Sequence, residues 1–277
     1  MKEALENSSF DLAVIGGGAA GFFGAITAAE MNPGLSIVIL EKTTKLLSKV
    51  GISGGGRCNV THHCFEPTPL SKHYPRGSKE LKSLFRKFQA KDIVQWFESK
   101  GVTLKKEPDG RMFPVSNSSQ TIIDCFLLQA QRHQITIQRQ AEVKKITPGE
   151  NDFSLELNTQ TITARKVLIA CGGYQNSQSY NWLRPLPIIN PIPSLFTFND
   201  SSKKFTDLMG VSVGQAEIKI AGTKFSETGP LLITHWGLSG PAIIKLSAWA
   251  AEYLYEKNYT FTALVNWTGV AGEETLR

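Results

Sequence analysis

Apolar runs and glycine breaks set the pattern of the first sixty residues. Leu12–Ile15 is a short apolar run that stops at three glycines, which suits a strand buried in a parallel sheet. Phe22, Ile26 and Ala29 then fall at i, i+4 and i+7, and Gly21, Gly24, Ala25 and Ala28 keep that face slim, so the spacing predicts a helix over 19–31. Asn32-Pro33-Gly34 ends it, and Ser36–Leu40 reads as a second buried strand. Helical periods recur over 81–88, 92–100 and 118–134, the last opened by Ser118. Strands are predicted over 102–106, before a turn at Pro108-Asp109-Gly110, and over 135–137 and 143–146. A hairpin is expected from 153–157 and 161–163 about Asn158-Thr159, and a further buried run, 167–170, ends at Cys171-Gly172-Gly173. Pro185, Pro187, Pro191 and Pro193 predict a crossing between domains, with a strand-rich remainder. The fold class this gives is α/β: a Rossmann-like domain over 1–190 with a parallel central sheet, and a β-rich second domain over 191–277.

Bulk composition narrows the function classes. Hydrophobic residues make up 41% and charged residues 19%, the balance of an ordinary globular protein. The formal charge of +6 could draw anionic ligands, but lysines and arginines are scattered, apart from Lys79, Lys82, Arg86, Lys87 and Lys91 on the wet faces of helices. Without a basic stripe, no nucleic-acid partner is expected. Four cysteines do not make a disulfide framework, and the N-terminus lacks an apolar signal core. No run approaches the ~18 apolar residues a membrane span needs. The expectation is therefore a soluble, cytoplasmic protein with a small-molecule substrate and no membrane partner. Neither the substrate nor the oligomeric state is encoded in the pattern.

The sharpest local signal is Gly16-Gly17-Gly18-Ala19-Ala20-Gly21, which follows a strand and opens a helix as G-x-G-x-x-G should. Gly16 permits the tight turn, Gly18 lets the backbone approach a pyrophosphate, and Gly21 lets helix and sheet pack closely. Free N–H groups at the helix start, with Ile15, Ala19 and Ala20 flanking, then face the anion. Glu41 ends the second strand with Lys42 beside it; its carboxylate can accept bonds from ribose hydroxyls and would repel a 2′-phosphate.

This fingerprint does not choose between FAD and NAD. The loop Gly51–Asn59 has four glycines in six positions, at 51 and 54–56, as for close approach to a flat or anionic ligand. Within it Arg57 could supply positive charge, and Asn59 both a donor and an acceptor. A flexible surface loop is the plainer alternative. Ala170-Cys171-Gly172-Gly173 suits a chain that brushes a cofactor at the sheet's C-terminal edge, or a simple strand-end turn. Cys58, His62, His63 and Cys64 lie close together, but adjacent ligands fit zinc poorly, and no metal is expected. Cys58 as a redox thiol and Cys58 as a buried bystander both stay open. No Cys-x-x-Cys or G-x-S-x-G is present, which removes support for a dithiol reductase or a serine hydrolase.

Gly16–Gly21, Glu41, Gly51–Asn59, Gly110–Pro114, Ala170–Gly173 and Thr234–Pro241 occur in one order. In that order the chain resembles the BaiN/YhiN-like family of NAD(P)/FAD-dependent oxidoreductases. The resemblance implies extended FAD, with Glu41 at the adenosine ribose, Gly54, Gly55, Gly56, Arg57, Cys58 and Asn59 beside the pyrophosphate and flavin, and Val143 giving backbone bonds to adenine. It also implies electron or hydride transfer through flavin, with NAD(P)H as a candidate donor. Cys171 departs from the threonine common there. Family members run on for about another domain, so the second domain is expected to be incomplete at Glu274–Arg277. No side chain is assigned a catalytic role. An NAD-dependent dehydrogenase and an FAD-binding fragment without turnover are the rival readings.

Overall fold

The computed structural model describes residues 8–174, 176–184 and 186–269. Pro185, on which the predicted crossing partly rests, and the stretch 274–277 lie outside them. The chain forms two compact units, one up to Ile189 and one from Asn190.

The first unit is organised by β1 (Ser9–Ile15), α1 (Ala19–Met31) and β2 (Ile37–Glu41). α2 (Ser48–Gly56), β3 (Thr61–His62), α3 (Pro67–Ser71), α4 (Ser78–Phe85), α5 (Ala90–Ser99), β4 (Leu104–Lys106) and β5 (Arg111–Pro114) follow. The unit continues with α6 (Ser119–Arg132), β6 (Thr136–Arg139), β7 (Val143–Pro148), β8 (Phe153–Leu157) and β9 (Thr161–Ile169). Six strands make one sheet in the order β6-β2-β1-β9-β8-β7, and β3-β5-β4 form a small second one. β6, β2, β1 and β9 are mutually parallel, whereas β8 and β7 continue the sheet antiparallel. Period-2 alternation divides the apolar residues between two faces. Val14, Ile37 and Ile39 pack with Phe22, Ile26, Ile122 and Phe126 from α1 and α6. Ala13, Ile15, Val38 and Leu40 pack with Val143, Leu155 and Leu157.

Two expectations change. The predicted strands 161–163 and 167–170 are one strand, β9, paired with β1 from Thr163 to Ile169 and with β8 over its first half. Its end is less buried than the apolar run suggests, with Ile169 41% exposed. The glycine-rich loop is also not all loop. Leu47 and Val50 are buried and anchor α2, which breaks at Ser53 (ψ 148°) and turns left-handed at Gly54 and Gly55 (φ 56° and 68°).

The second unit contains β10 (Phe198–Asn199), β11 (Ser212–Ile220), β12 (Ser226–Thr234), β13 (Gly237–Ser239), α7 (Pro241–Trp249), α8 (Ala251–Glu256) and β14 (Ala263–Asn266). Its strands form an antiparallel sheet in the order β10-β13-β12-β11-β14. Ala216, Ile218, Ile220, Leu231 and Ile233 bury one face of that sheet against Ile243, Leu246 and Leu254. The strand-rich reading omits α7, although Gly240-Pro241 announces it, with proline in its first turn.

Candidate functional site

β1 lies between β2 and β9, and the carboxyl ends of these parallel strands form the crevice where open α/β sheets bind ligands. Ile15 stands opposite Leu40 and Ile169, so the loop that follows it emerges between two strand ends. The loop is pinned on both sides. Gly16 N–H donates to Leu40 O at 2.8 Å, and Leu47 N–H donates to Gly17 O at 2.8 Å. Glu41 Oε2 accepts from Gly17 N–H at 2.9 Å, while its Oε1 accepts from the Thr43 N–H and hydroxyl, each at 2.8 Å. A carboxylate has about four acceptor positions, so Glu41 can brace the loop and still receive a ribose hydroxyl.

The loop glycines do different work. At Gly16 (φ 115°) a Cβ would come within 2.4 Å of Ala170 O, and at Gly21 within 2.0 Å of Gly16 O; both are required by packing. Gly18 caps α1 in extended backbone (φ −92°, ψ −177°), and a Cβ there would meet nothing within 4 Å. Neither conformation nor packing demands glycine at this position, so the space above it is open for something that approaches the main chain. The donors at α1's start fit an anionic group there.

Clefts flank the loop on two sides. One, of about 240 Å³, is lined by Ile15, Gly16, Glu41, Lys42, Val143 and Cys171, together with Tyr174, Ser179 and Trp182. The sequence pattern alone does not mark the last three. They belong to an aromatic segment in which the 3-10 turn Ser177–Leu183 is capped by Asn176, whose side chain accepts from Ser179 N–H. Lys42 Nζ sits 5.0 Å from the Tyr174 ring centre. Burial, reinforced by Cys171, pushes the Tyr174 phenol up to about 12, so it is a neutral donor near neutral pH. The clustering of Tyr174, Tyr180 and Trp182 within nine positions was the available signal.

The other cleft, about 460 Å³ and mainly apolar, is bounded by Ala19, Ala20, Phe23, Lys49, Val50, Ser53, Cys58, Asn59, Val60, Ile93, Phe97, Ile122 and Phe126. Cys58 is buried, and burial raises its thiol above the usual range, the reverse of an activated thiolate. Gly54, Gly55, Gly56 and Arg57 line neither cleft. Arg57 instead pairs with Glu107 at 3.2 Å, a carboxylate that Lys105 also approaches at 3.9 Å, and stacks 4.0 Å from the Phe113 ring centre. Gly54 packs against Phe113 and Asn59, while Gly172 (φ 76°) lies beside Lys49 and Gly173 borders open space. No metal-holding group of His, Cys, Asp or Glu occurs among the described residues. In the second unit, Thr234–Pro241 forms the β12–β13 hairpin, where the Thr234 hydroxyl donates to Gly237 O at 3.0 Å.

Comparison with known proteins assigns the family. The HI0933-like protein Rossmann domain matches residues 10–179, and the HI0933-like protein barrel and H2TH domain matches residues 192–276. The chain belongs to the HI0933-like family. Among its relatives, a ribosomal RNA dihydrouridine synthase of Escherichia coli is 29% identical over 87% of this chain and 61% of its own. A 3-dehydro-bile acid delta(4,6)-reductase of Clostridium scindens is 24% identical over 88% of this chain and 61% of its own. The chain thus spans about six-tenths of the length of these relatives. A flavocytochrome c3 fumarate reductase aligns with a TM-score of 0.49 at 19% identity, covering 76% of this chain and 47% of that one. No helix among the described residues is long and apolar enough to cross a membrane.

Proposed function

We propose that this chain binds extended FAD and, as part of the full-length protein, serves a flavin-dependent reductase acting on a carbon–carbon double bond conjugated to a carbonyl. The observation that carries the cofactor assignment is Gly18, the one position in G-x-G-x-x-G whose glycine the protein's own packing leaves unexplained. A diphosphate against the start of α1 accounts for it. The adenosine half would meet Glu41, Lys42, Val143, Tyr174 and Trp182 in the smaller cleft. The ring half would enter the larger cleft beside Ala19, Ala20, Lys49 and Asn59. The size and apolar walls of that cleft favour a three-ring flavin over a nicotinamide.

Bound FAD, when reduced, supplies a hydride; a proton from solvent or a side chain completes the saturated product. The protein's own groups hold and shield. Glu41 fixes the loop, Tyr174 stays protonated, and Phe23, Phe97 and Phe126 keep the ring end apolar. The names of both relatives support the reaction class, since dihydrouridine is uridine with its ring double bond reduced and a delta(4,6)-reductase removes double bonds from a steroid. We place a small apolar carbonyl compound first as substrate, without a nucleic-acid partner, and NAD(P)H first as donor. A uridine in ribosomal RNA is the second reading, favoured by the E. coli relative. All four cysteines are free, which supports a reducing cytoplasm.

The test is the 300–550 nm spectrum of the purified chain, with the mass of any released cofactor. Bound FAD is expected; NAD alone, or no cofactor on a protein of full length, would overturn the assignment. The reduced protein is then offered a 3-keto-Δ4 steroid or a uridine-rich RNA, and return of the 450 nm band identifies the acceptor. Full occupancy without re-oxidation by either would favour a binding module.

A further inference from the structure

We propose that Lys49 is the cation that faces the flavin ring and stabilises its reduced, anionic form. This rests on the FAD reading above and adds a role to a residue outside the glycine motifs. Three observations place it. Leu47, two residues earlier, is buried and donates its N–H to Gly17 O at 2.8 Å, which ties the start of α2 to the phosphate loop. Lys49 itself bounds the apolar cleft with Ala19, Ala20 and Asn59. Its Nζ lies 3.4 Å from where a Cβ on Gly172 would stand, so it reaches across to the turn that ends β9.

Electrostatics then separates Lys49 from the other cations. Arg57 is held on Glu107 and the Phe113 ring and lines neither cleft, and Lys42 lies over Tyr174 in the opposite cleft. Lys49 has no carboxylate partner among the described residues and sits at the edge of an apolar cavity. Lys49 is exposed at the mouth of that cleft, so water solvates its ammonium until a ligand covers it, and its charge is then free to meet an anion. Two-electron reduction of a flavin with uptake of one proton adds one negative charge to the ring. A cation beside that ring therefore binds the reduced form more tightly than the oxidised one, and charge near the ring is a main lever on flavin potential.

The test compares wild type, Lys49→Met and Lys49→Arg. Oxidised FAD and ADP affinities are measured by titration, and the midpoint potential is measured by dithionite titration against a reference dye. In Lys49→Met, the ratio of reduced to oxidised FAD affinity is expected to fall about tenfold, equivalent to about 30 mV towards more negative potential. ADP, which has the adenosine and diphosphate but no flavin, should bind unchanged, and Lys49→Arg should restore most of the potential. An unmoved potential in a protein that still takes up FAD overturns this inference alone. Loss of ADP and FAD affinity by the same factor overturns it too, because Lys49 would then serve the diphosphate. If wild type takes up ADP but no flavin, the FAD reading falls and this inference with it.

Discussion

Replacing Gly18 by alanine separates a ligand-imposed glycine from a fold-imposed one. The residue caps α1 at φ −92° and ψ −177°, backbone that alanine adopts freely, and its Cβ would meet no atom within 4 Å. Two small stability effects oppose each other. Alanine narrows the unfolded ensemble, worth about 0.4–1 kcal/mol in favour of the fold. It is also a poorer N-cap than glycine, which costs about 1 kcal/mol. They nearly cancel, so Tm should move by no more than about 2–4 °C. Binding should respond quite differently. The added methyl keeps the diphosphate from the free N–H groups at the helix start, and a hydrogen bond to a charged group contributes about 1.5–3 kcal/mol. Loss of one such bond weakens FAD binding roughly ten- to a hundredfold.

The assay is FAD titration of the apo-protein followed by fluorescence quenching, with thermal melts of the same samples. Gly21→Ala is the contrast. Its Cβ would sit 2.0 Å from Gly16 O, so the fold itself should suffer and Tm should drop sharply. Unchanged FAD affinity in a folded Gly18→Ala protein would falsify the placement of the diphosphate. A large loss of Tm in that variant would show that the space above Gly18 is not free.

Other consequences can be checked separately. Glu41→Ala removes the acceptor of Gly17 N–H and both Thr43 donors, so melts should show a loss of about 1–3 kcal/mol, and titrations a weaker grip on ADP. Trp182→Ala should weaken ADP by about tenfold, since an aromatic face against a base contributes about 1–3 kcal/mol; unchanged ADP affinity would exclude it from the adenine site. Cys58 should react more slowly with iodoacetamide at pH 8 than Cys64 or Cys171, because burial disfavours its thiolate; peptide mass mapping reads the order. The Ser36 N–H and hydroxyl, with Arg165, hold the Asp11 carboxyl below its ordinary 3.8. A depressed folded pKa stabilises above the unfolded value and is lost as pH falls through the folded one. Melts from pH 6 to pH 2 should therefore show a shallower acid limb in Asp11→Asn.

What was legible in the chain, and what was not, follows a physical division. α1 runs over 19–31 as its apolar spacing predicts, because Gly18 opens it and Asn32-Pro33-Gly34 closes it, and each signal acts through local backbone conformation. β9 reads as two pieces because Arg165 and Lys166 interrupt its apolar run. The strand continues because β1 pairs with it from Thr163 to Ile169 and Arg165, 74% exposed, reaches Asp11 across the pair. α2 is hidden by its glycine and serine content, and only contacts made by Leu47 and Val50 reveal it. The candidate site divides the same way. Gly16, Gly18 and Glu41 are readable because the tight turn and the strand end lie within one β–α–β unit. Trp182 and Lys49 are not, since each reaches the phosphate loop through a remote part of the chain: one through the segment after β9, the other through the Leu47–Gly17 hydrogen bond. Arg57 shows the converse. Its sequence context points to a ligand, yet Glu107, fifty residues away, takes up its charge. A motif fixes where the main chain can approach a cofactor; which side chains surround that cofactor depends on contacts between distant segments, which the folded protein supplies.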